Sequence, residues 1–151
     1  MAHIFSWTTL INSDIFSVFE FFSKPENLEV ITPPFLKFRI MSKLPIQMKL
    51  NTEIDYQLKL RKIPVKWKTL ITEWDPPNSF QDKQLRGPYK LWIHTHKFEE
   101  SSEGIKIFDN VEYEVPGWIF RGIIHKFVVL PDLKRIFTYR EKIIKELLDN
   151  N

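Results

Sequence analysis

Two histidines and two aspartates fall at spacings that could support acid–base chemistry. His94 and His96 are two residues apart in a segment that alternates as a strand does, so both imidazoles emerge on one face. Asp82 lies in the predicted strand before this segment, and Asp109 lies in the predicted strand after it. Because paired residues of neighbouring antiparallel strands face the same side of a sheet, we expect all four side chains on one face.

The lengths of the two connecting loops predict which of these side chains meet. A three-residue first loop pairs Asp82 with His94, and an even second loop, through residues 101–102, pairs His94 with Asp109. His94 should therefore lie between the two carboxylates. Arg140 falls on the otherwise apolar stripe of the last predicted helix. A buried carboxylate needs a partner charge, which Arg140 or a protonated His94 would supply.

This group admits four interpretations. It could be a hydrogen-bonded structural network, or a polar floor that orients a ligand in an apolar pocket. His94, assisted by Asp82 or Asp109, could act as a general acid or base, because an aspartate fixes the tautomer that a histidine base needs. His94 and His96 with one carboxylate could ligate zinc or iron, but no further ligand is evident, so we predict no metal and no cofactor.

A sheet must hold these residues in place. A first strand at residues 2–10 precedes a helix that Ser13 can cap, and a second short helix must end before Pro33. The period of the apolar residues then changes from helical spacing to two. Six predicted strands follow, at residues 36–41, 54–61, 65–72, 80–86, 90–98 and 105–115.

Residues 131–148 return to helical spacing, with an apolar stripe along one side. The elements make an α+β protein in the order βααββββββα. Since a sheet cannot leave a whole face of aromatic side chains in water, we expect a seven-stranded curved antiparallel sheet wrapped around the long C-terminal helix, with a gap between them. Its 151 residues are predicted to form a single domain, residues 1–151.

Large rings are frequent in this chain, with 13 Phe, 5 Trp and 4 Tyr. Strand alternation turns several of them inward, and Phe16, Phe19 and Phe22 should join them from the first helix. Single rings of this kind are usually core, but together they suit a planar or isoprenoid apolar ligand. The predicted ligand-binding residues are Tyr56, Trp67, Thr69, Asp82, Gln84, Trp92, His94, His96, Asp109, Tyr113, Phe137 and Arg140.

The segment between Trp118 and Leu130 carries more apolar residues than one helix face can bury. It could be a short helix at the pocket mouth, packed on the first two helices, or a gate that opens for a ligand. It could also touch a membrane transiently while Arg121 and Lys126 meet lipid phosphates. A smaller outward patch, which would suit a weak dimer contact, consists of Leu70, Leu85, Leu91 and Ile93. We therefore expect a monomer or a weak homodimer.

The composition excludes several other classes of protein. Only 4 glycines are present, in no phosphate-cradling loop, and the absence of cysteine excludes disulfides and thiolate chemistry. The net charge is +3, but the basic residues are scattered, so we predict no nucleic-acid partner. The chain starts with neither a basic nor a long apolar stretch. We expect a cytoplasmic protein without a signal peptide or a transmembrane helix.

Several short segments resemble a known superfamily. They are Thr32-Pro33-Pro34-Phe35-Leu36, Trp74-Asp75-Pro76-Pro77, Phe80-Gln81-Asp82-Lys83-Gln84, Gly87-Pro88-Tyr89, Trp92-Ile93-His94-Thr95-His96 and Ile136-Phe137-Thr138-Tyr139-Arg140. With the order of elements, they are similar to the helix-grip fold of START-like domains, the SRPBCC superfamily. That superfamily includes birch-pollen-allergen-like proteins, polyketide cyclases and coenzyme Q-binding START-type proteins. The resemblance covers residues 2–148.

The resemblance implies binding or transport of a small hydrophobic ligand, such as a lipid, an aromatic polyketide or a quinone-like molecule, in a cavity between the sheet and the C-terminal helix. One alternative is a cyclase- or hydrolase-type enzyme that uses His94 with Asp82 or Asp109. Another is a membrane-recruited accessory protein that uses residues 118–130. The related sequences commonly carry glycine where this chain has Lys62, and also near Asn51.

Overall fold

One curved sheet of seven antiparallel strands dominates the computed structural model, which describes residues 2–149. Its strands are β1 (His3–Ile11), β2 (Arg39–Ile40), β3 (Glu53–Leu60), β4 (Ile63–Asp75), β5 (Ser79–Arg86), β6 (Leu91–Ser101) and β7 (Gly104–Glu114). Their order across the sheet is β1-β7-β6-β5-β4-β3-β2. Apart from the β1–β7 pair, every neighbour in the sheet is also a neighbour in the chain.

The helices lie at the two ends of the chain. They are α1 (Ile15–Phe22), α2 (Glu26–Ile31), α3 (Arg121–Ile124) and α4 (Leu130–Leu148). A 3-10 turn at Trp118–Phe120 leads into α3, and a π-helical turn at His125–Val129 joins α3 to α4. The chain is therefore helical almost without interruption from residue 118 to residue 148. The predicted α+β class, the seven-stranded sheet and the long C-terminal helix are confirmed.

Two predictions about the first helix are wrong. Asp14, and not Ser13, caps α1, because the Asp14 carboxylate accepts the backbone N–H of Ser17 at 2.9 Å. The Ser13 backbone N–H is occupied by a turn to the carbonyl of Ile11. Phe16 points outward and is 70% exposed, because it lies on the outer side of α1.

The strand predicted at residues 36–41 is also wrong in extent. Leu36 belongs to a 3-10 turn, Pro34–Leu36, that begins with proline. Only Arg39 and Ile40 pair with β3, opposite Gln57 and Tyr56. The edge of the sheet next to β3 is therefore short.

At two positions where the related sequences carry glycine, the backbone of this chain explains the preference for that residue. Lys62 lies in the β3–β4 turn with φ 72, and Asn51 lies before β3 with φ 70. This left-handed backbone region suits glycine and, among other residues, asparagine, whereas a lysine side chain is strained there. Both turns nevertheless form with lysine and asparagine in place of glycine.

Buried apolar side chains form two clusters along the groove between sheet and helix. The first cluster surrounds α1 and contains Phe19, Phe22, Phe80 and Phe98. The second lies beneath the start of α4 and consists of Phe5, Val111, Tyr113, Val115, Val129, Leu133 and Phe137. The polar residues described next lie between these two clusters.

Candidate functional site

A cavity of about 300 Å³ opens between the sheet and α4. This volume lies at the lower end of the range for small-molecule sites, roughly 300 to 1,000 Å³. Its apolar wall includes Leu28, Leu36, Phe38, Leu58, Leu60, Val115, Ile124, Val128, Val129, Leu133, Ile136 and Phe137. The cavity therefore offers mainly hydrocarbon surface.

Four aromatic side chains of the sheet give this wall its shape. Tyr56, Trp67, Tyr89 and Trp92 all contribute to it. The Trp67 and Trp92 rings meet edge to face, with centroids 5.2 Å apart and planes at 89°. Tyr89 lies 4.9 Å from Trp92 and 5.8 Å from Trp67. Because the rings brace one another, they hold the wall open instead of filling the space.

The inward faces of β5, β6 and β7 bring the predicted polar residues together. His94 Nε2 lies 2.7 Å from Asp109 Oδ1, and His96 Nε2 lies 2.8 Å from Asp82 Oδ2. His96 Nδ1 also lies 3.3 Å from Asp109 Oδ1. The two imidazoles stack with centroids 3.7 Å apart. Two hydrogen-bonded His–Asp pairs thus lie side by side in one cluster.

The pairing of strands corrects one of the two predicted registers. Asp82 lies opposite His94, as predicted. Asp109, however, lies opposite His96 and not opposite His94, because the β6–β7 turn closes at Gly104 and displaces the pairing by two residues. A displacement of two preserves the face on which each side chain lies. Through its side-chain contacts, His96, and not His94, is the residue between the two carboxylates, 2.8 Å from Asp82 Oδ2 and 3.3 Å from Asp109 Oδ1.

Burial and hydrogen bonding set the charges of this cluster. Burial is the main cause that lowers the pKa of His94, and the neighbouring His96 acts in the same direction. Burial opposes charge on His96 too, but its bonds to Asp109 and Asp82 outweigh burial and raise its pKa. Burial would raise the pKa of both aspartates, yet the histidine hydrogen bonds keep each pKa below its usual range. Hydrogen bonding thus favours the charged forms of both carboxylates and of His96, whereas burial favours the neutral form of His94.

Arg140 reaches the same cluster from α4. Its side chain is 9% exposed, and Nη2 lies 3.9 Å from Asp109 Oδ1, which is too long for a hydrogen bond. The guanidinium carbon lies 5.0 Å from the centre of the Phe137 ring. Nε and Nη2 are both buried without a hydrogen-bond partner. Arg140 therefore balances the charge of the cluster without the bidentate contact that its fork could make.

Most of the predicted ligand-binding residues lie on the cavity wall. They are Tyr56, Trp67, Asp82, Trp92, His94, His96, Phe137 and Arg140. Four others do not contribute to it, namely Thr69, Gln84, Asp109 and Tyr113. Thr69 and Gln84 hydrogen-bond backbone carbonyls of Lys83 and Tyr89, and Tyr113 bonds His125. Contact of these residues with a ligand stays a prediction.

Several residues of the cavity wall are not among the predicted ligand-binding residues. Leu58 and Leu60 follow Tyr56 at every second position of β3, so their place could have been predicted from the alternation. Arg61 and Asp132 also line the cavity and form an ion pair with Nη2 and Oδ1 2.9 Å apart. These two residues are 71 positions apart, and no local pattern indicates that they meet.

Asp82, His94 and His96 also have the donor atoms of a metal site, all within 4.8 Å of one another. Both imidazole Nε2 atoms, however, are already hydrogen-bonded to carboxylates. The Arg140 guanidinium, 3.9 Å from Asp109 Oδ1, adds a positive charge beside this group. The absence of a metal from this cluster stays a prediction.

The segment from Trp118 to Val129 presents apolar side chains on two sides. Ile124, Val128 and Val129 line the cavity. Five others face solvent, with exposed fractions of 76% for Trp118, 69% for Ile119, 59% for Phe120, 61% for Ile123 and 62% for Phe127. His125 anchors the segment, because its Nε2 lies 2.7 Å from the Tyr113 hydroxyl and its ring stacks on His3 at 3.6 Å. Among residues 2–149, no helix is both long and apolar enough to cross a bilayer.

Comparisons with known proteins bear on the fold. No protein-family profile matches the chain, and no curated protein matches it in sequence. Solved structures do match. Ginseng major latex-like protein 151 from Panax ginseng is 13% identical over 99% of this chain and 99% of its own, with a TM-score of 0.71.

Two bacterial structures are similar to the same extent. A START superfamily protein from Mycobacterium smegmatis is 11% identical, with 96% of this chain and 99% of that chain covered and a TM-score of 0.69. A protein from Chromobacterium violaceum is 11% identical over 99% of both chains, with a TM-score of 0.72. The resemblance drawn from the sequence is thereby confirmed at the level of structure: the chain has the helix-grip fold of START-like and major latex-like proteins.

Proposed function

We propose that the protein binds a small hydrophobic molecule in the cavity between the sheet and α4, and sequesters or carries it. The observation that carries this proposal is a cavity of about 300 Å³ whose wall is mainly apolar and carries two polar groups, the cluster around His94 and His96 and the Arg61–Asp132 ion pair. Such a wall favours an apolar body and orients one polar end. A lipid, an aromatic polyketide or a quinone-like molecule has this character.

Native mass spectrometry of protein purified without detergent tests the proposal directly. We expect a co-purifying small molecule, or a rise in melting temperature with some members of a panel of lipids and aromatic compounds. A protein that carries nothing and responds to no compound would refute the proposal.

A matched pair of variants tests whether the ligand binds in this cavity. Ile136→Trp fills the space from its helical wall, whereas Lys134→Trp adds the same ring to the exposed side of α4. We expect Ile136→Trp to abolish ligand binding and Lys134→Trp to preserve it. Equal binding by both would place the ligand elsewhere.

A second candidate is acid–base catalysis of the cyclase or hydrolase type by His94. It is favoured by the position of His94 on the cavity wall, with Asp109 2.7 Å from its Nε2. An aspartate in this position fixes the tautomer of the ring. If His94 is a base, His94→Gln should leave ligand affinity within about twofold and stop turnover of a bound substrate. Unchanged turnover would exclude this role.

A third candidate is transient membrane contact through the segment from Trp118 to Leu130. It is favoured by the exposed apolar side chains there, with Arg121 and Lys126 between them. In flotation with anionic vesicles, Trp118→Glu should reduce binding, whereas Leu85→Glu on the convex face should not. Failure of the unaltered protein to float would refute this candidate.

A cytoplasmic location and a monomeric or weakly dimeric state stay predictions.

A further inference from the structure

Two arginine side chains converge on one carboxylate at the boundary between the cavity and solvent. Asp132, in the first turn of α4, accepts hydrogen bonds from Arg61 Nε at 3.2 Å and from Arg61 Nη2 at 2.9 Å. Arg135, one turn further along α4, has its Nη1 3.9 Å from the same Asp132 Oδ1. Two guanidinium groups thus share one carboxylate, which leaves one positive charge in excess. We call Arg61, Asp132 and Arg135 the rim group.

The rim group faces both the cavity and solvent. Arg61 and Asp132 line the cavity. The Arg61 side chain is nevertheless 50% exposed, and the Arg135 side chain is 60% exposed. Because the two arginines approach one carboxylate oxygen within 4 Å, a single anion that arrives from solvent is able to contact both. The two charges are therefore accessible as well as close together.

Hydrogen-bonding capacity remains on both arginines. Asp132 engages Nε and Nη2 of Arg61, and Nη1 takes no part in this contact. The contact of Arg135 with Asp132 is too long for a hydrogen bond. Arg135 is held instead over the ring of Phe35, 4.1 Å from its centre, where no acceptor takes up its N–H groups. A guanidinium with N–H groups to offer suits the paired oxygens of a carboxylate or a phosphate.

The polar cluster inside the cavity is a poorer place for a charged head group. Its histidines, His94 and His96, are 6% and 3% exposed and are already hydrogen-bonded to Asp109 and Asp82. An ion that binds there would lose its water, which is costly, whereas an ion at the rim group keeps part of its hydration. An apolar chain has the opposite preference and gains by entering the cavity.

We propose that the ligand is an amphiphile with an oxyanion head group, which binds to Arg61 and Arg135 while its apolar chain lies in the cavity. A carboxylate and a phosphate share the relevant chemistry, because each presents two oxygens on one atom to a guanidinium. This proposal rests on the proposed function and adds to it the chemical class of the ligand and the direction in which the ligand lies.

Three compounds with the same alkyl chain test the class. Decanoic acid, decyl phosphate and 1-decanol are titrated into the protein at neutral pH and low ionic strength, below the concentrations at which they form micelles, and binding is followed by calorimetry. We expect at least one of the two anions to bind about fivefold or more tightly than the alcohol, as partly exposed ion pairs predict. The anion that shows the preference identifies the head group. Equal affinity of all three compounds would overturn the proposal.

Charge substitutions in the rim group should have effects of opposite sign. Arg61→Gln and Arg135→Gln each remove a cation and should weaken binding of the preferred anion by about fivefold. Asp132→Asn removes the carboxylate that competes for both arginines and should strengthen binding by a similar factor. Lys142→Gln, on the exposed side of α4, also removes a positive charge and should leave the affinity within about twofold. Circular dichroism checks that each variant is folded.

A purely structural role of the ion pair predicts a different pattern. Arg61→Gln and Asp132→Asn both break the pair, so a pair that only braces the cavity mouth would shift binding in the same direction in both variants. The affinity for 1-decanol would then change as much as the affinity for the anion. Either result would overturn the proposal.

The outcomes also separate this proposal from the proposed function. Binding of 1-decanol without preference for either anion overturns the assignment of the head group and leaves hydrophobic binding intact. Binding of none of the three compounds, together with a neutral co-purifying compound, has the same meaning. Binding of none of them, with no co-purifying compound and no thermal response, overturns both proposals.

Discussion

The two ends of the groove between the sheet and α4 differ in how their space is filled. At one end, Phe19 and Phe22 of α1 reach Phe98 of β6 with ring centroids 5.5 Å and 5.4 Å apart, and Ile144 of α4 is buried beside them. At the other end, Trp67 and Trp92 meet edge to face and leave a cavity of about 300 Å³.

Both ends are built on the same alternation of inward side chains. The difference comes from what reaches each end. α1 delivers aromatic side chains to the first end, where rings interdigitate as they do in a protein interior. At the second end, the rings of the sheet contact one another, and the rest of the wall comes from α2, from Leu36 and Phe38, from the segment from Trp118 to Val129 and from α4. One end therefore provides stability, and the other end is available for binding.

The largest expected difference between the two ends is in the free energy of unfolding that is lost when a side chain is truncated to alanine. Phe98→Ala, at a side chain 2% exposed, should lower the free energy of unfolding by about 3 to 5 kcal/mol. Ile136→Ala only enlarges an existing cavity and should cost about 1 kcal/mol. Urea unfolding measures both. Similar losses would mean that the cavity end carries as much packing energy as the filled end.

Loss of the Arg140 charge, which α4 supplies to the polar cluster between the two ends, should lower the stability of the protein. Arg140→Leu leaves Asp109 without the cation 3.9 Å away and should lower the free energy of unfolding by about 3 kcal/mol. Adding Asp109→Asn to this variant should recover part of the loss. If Arg140→Leu unfolds at the same urea concentration as the unaltered protein, the charge of Arg140 contributes nothing to the fold.

The same cluster should make stability depend on pH in acid. The pKa values of Asp82 and Asp109 are lower in the folded chain than in an unfolded one, so the unfolded chain binds more protons in acid. The stability that these carboxylates contribute is present above about pH 4 and is lost as the pH falls further, by up to about 1.4 kcal/mol per pH unit for each. Asp109→Asn should reduce this slope in urea unfolding at several pH values. An unchanged slope would show that the cluster is not ionised as described.

The smallest effect is expected at the β3–β4 turn, beside the cavity. Lys62 has φ 72, so Lys62→Gly should relieve strain and raise the free energy of unfolding by about 0.5 to 1 kcal/mol. Thermal unfolding measures the change, and Lys66→Gly, within a strand, should instead be destabilising. A loss of stability in Lys62→Gly would show that the entropy of the unfolded glycine chain outweighs the strain.

The architecture could be predicted from the sequence because its signals are local. Alternation of apolar residues identifies the long strands, and proline and glycine mark their ends. The strand at residues 36–41 was overestimated because alternation does not show that Pro34 starts a helical turn. The cap of α1 was misplaced by one residue, since Ser13 and Asp14 are both good caps and only the structure chooses between them.

The candidate site could be predicted in its composition and not in its contacts. Inward alternation placed Asp82, His94, His96 and Asp109 in one cluster, because a two-residue error in register keeps the face of every side chain. It could not show which histidine lies between the carboxylates. The cavity wall also depends on Arg61 and Asp132, which only the folded chain brings together.

That last ion pair has a consequence for the response of the cavity to salt. It ties the tip of the β3–β4 hairpin to the first turn of α4, and the Arg61 side chain is 50% exposed. Coulomb attraction between such groups weakens as the screening length shortens from about 10 Å at 0.1 M ionic strength to about 3 Å at 1 M. The rate at which a bound molecule exchanges should accordingly rise with ionic strength, and neutralising Asp132 by Asp132→Asn should remove that dependence.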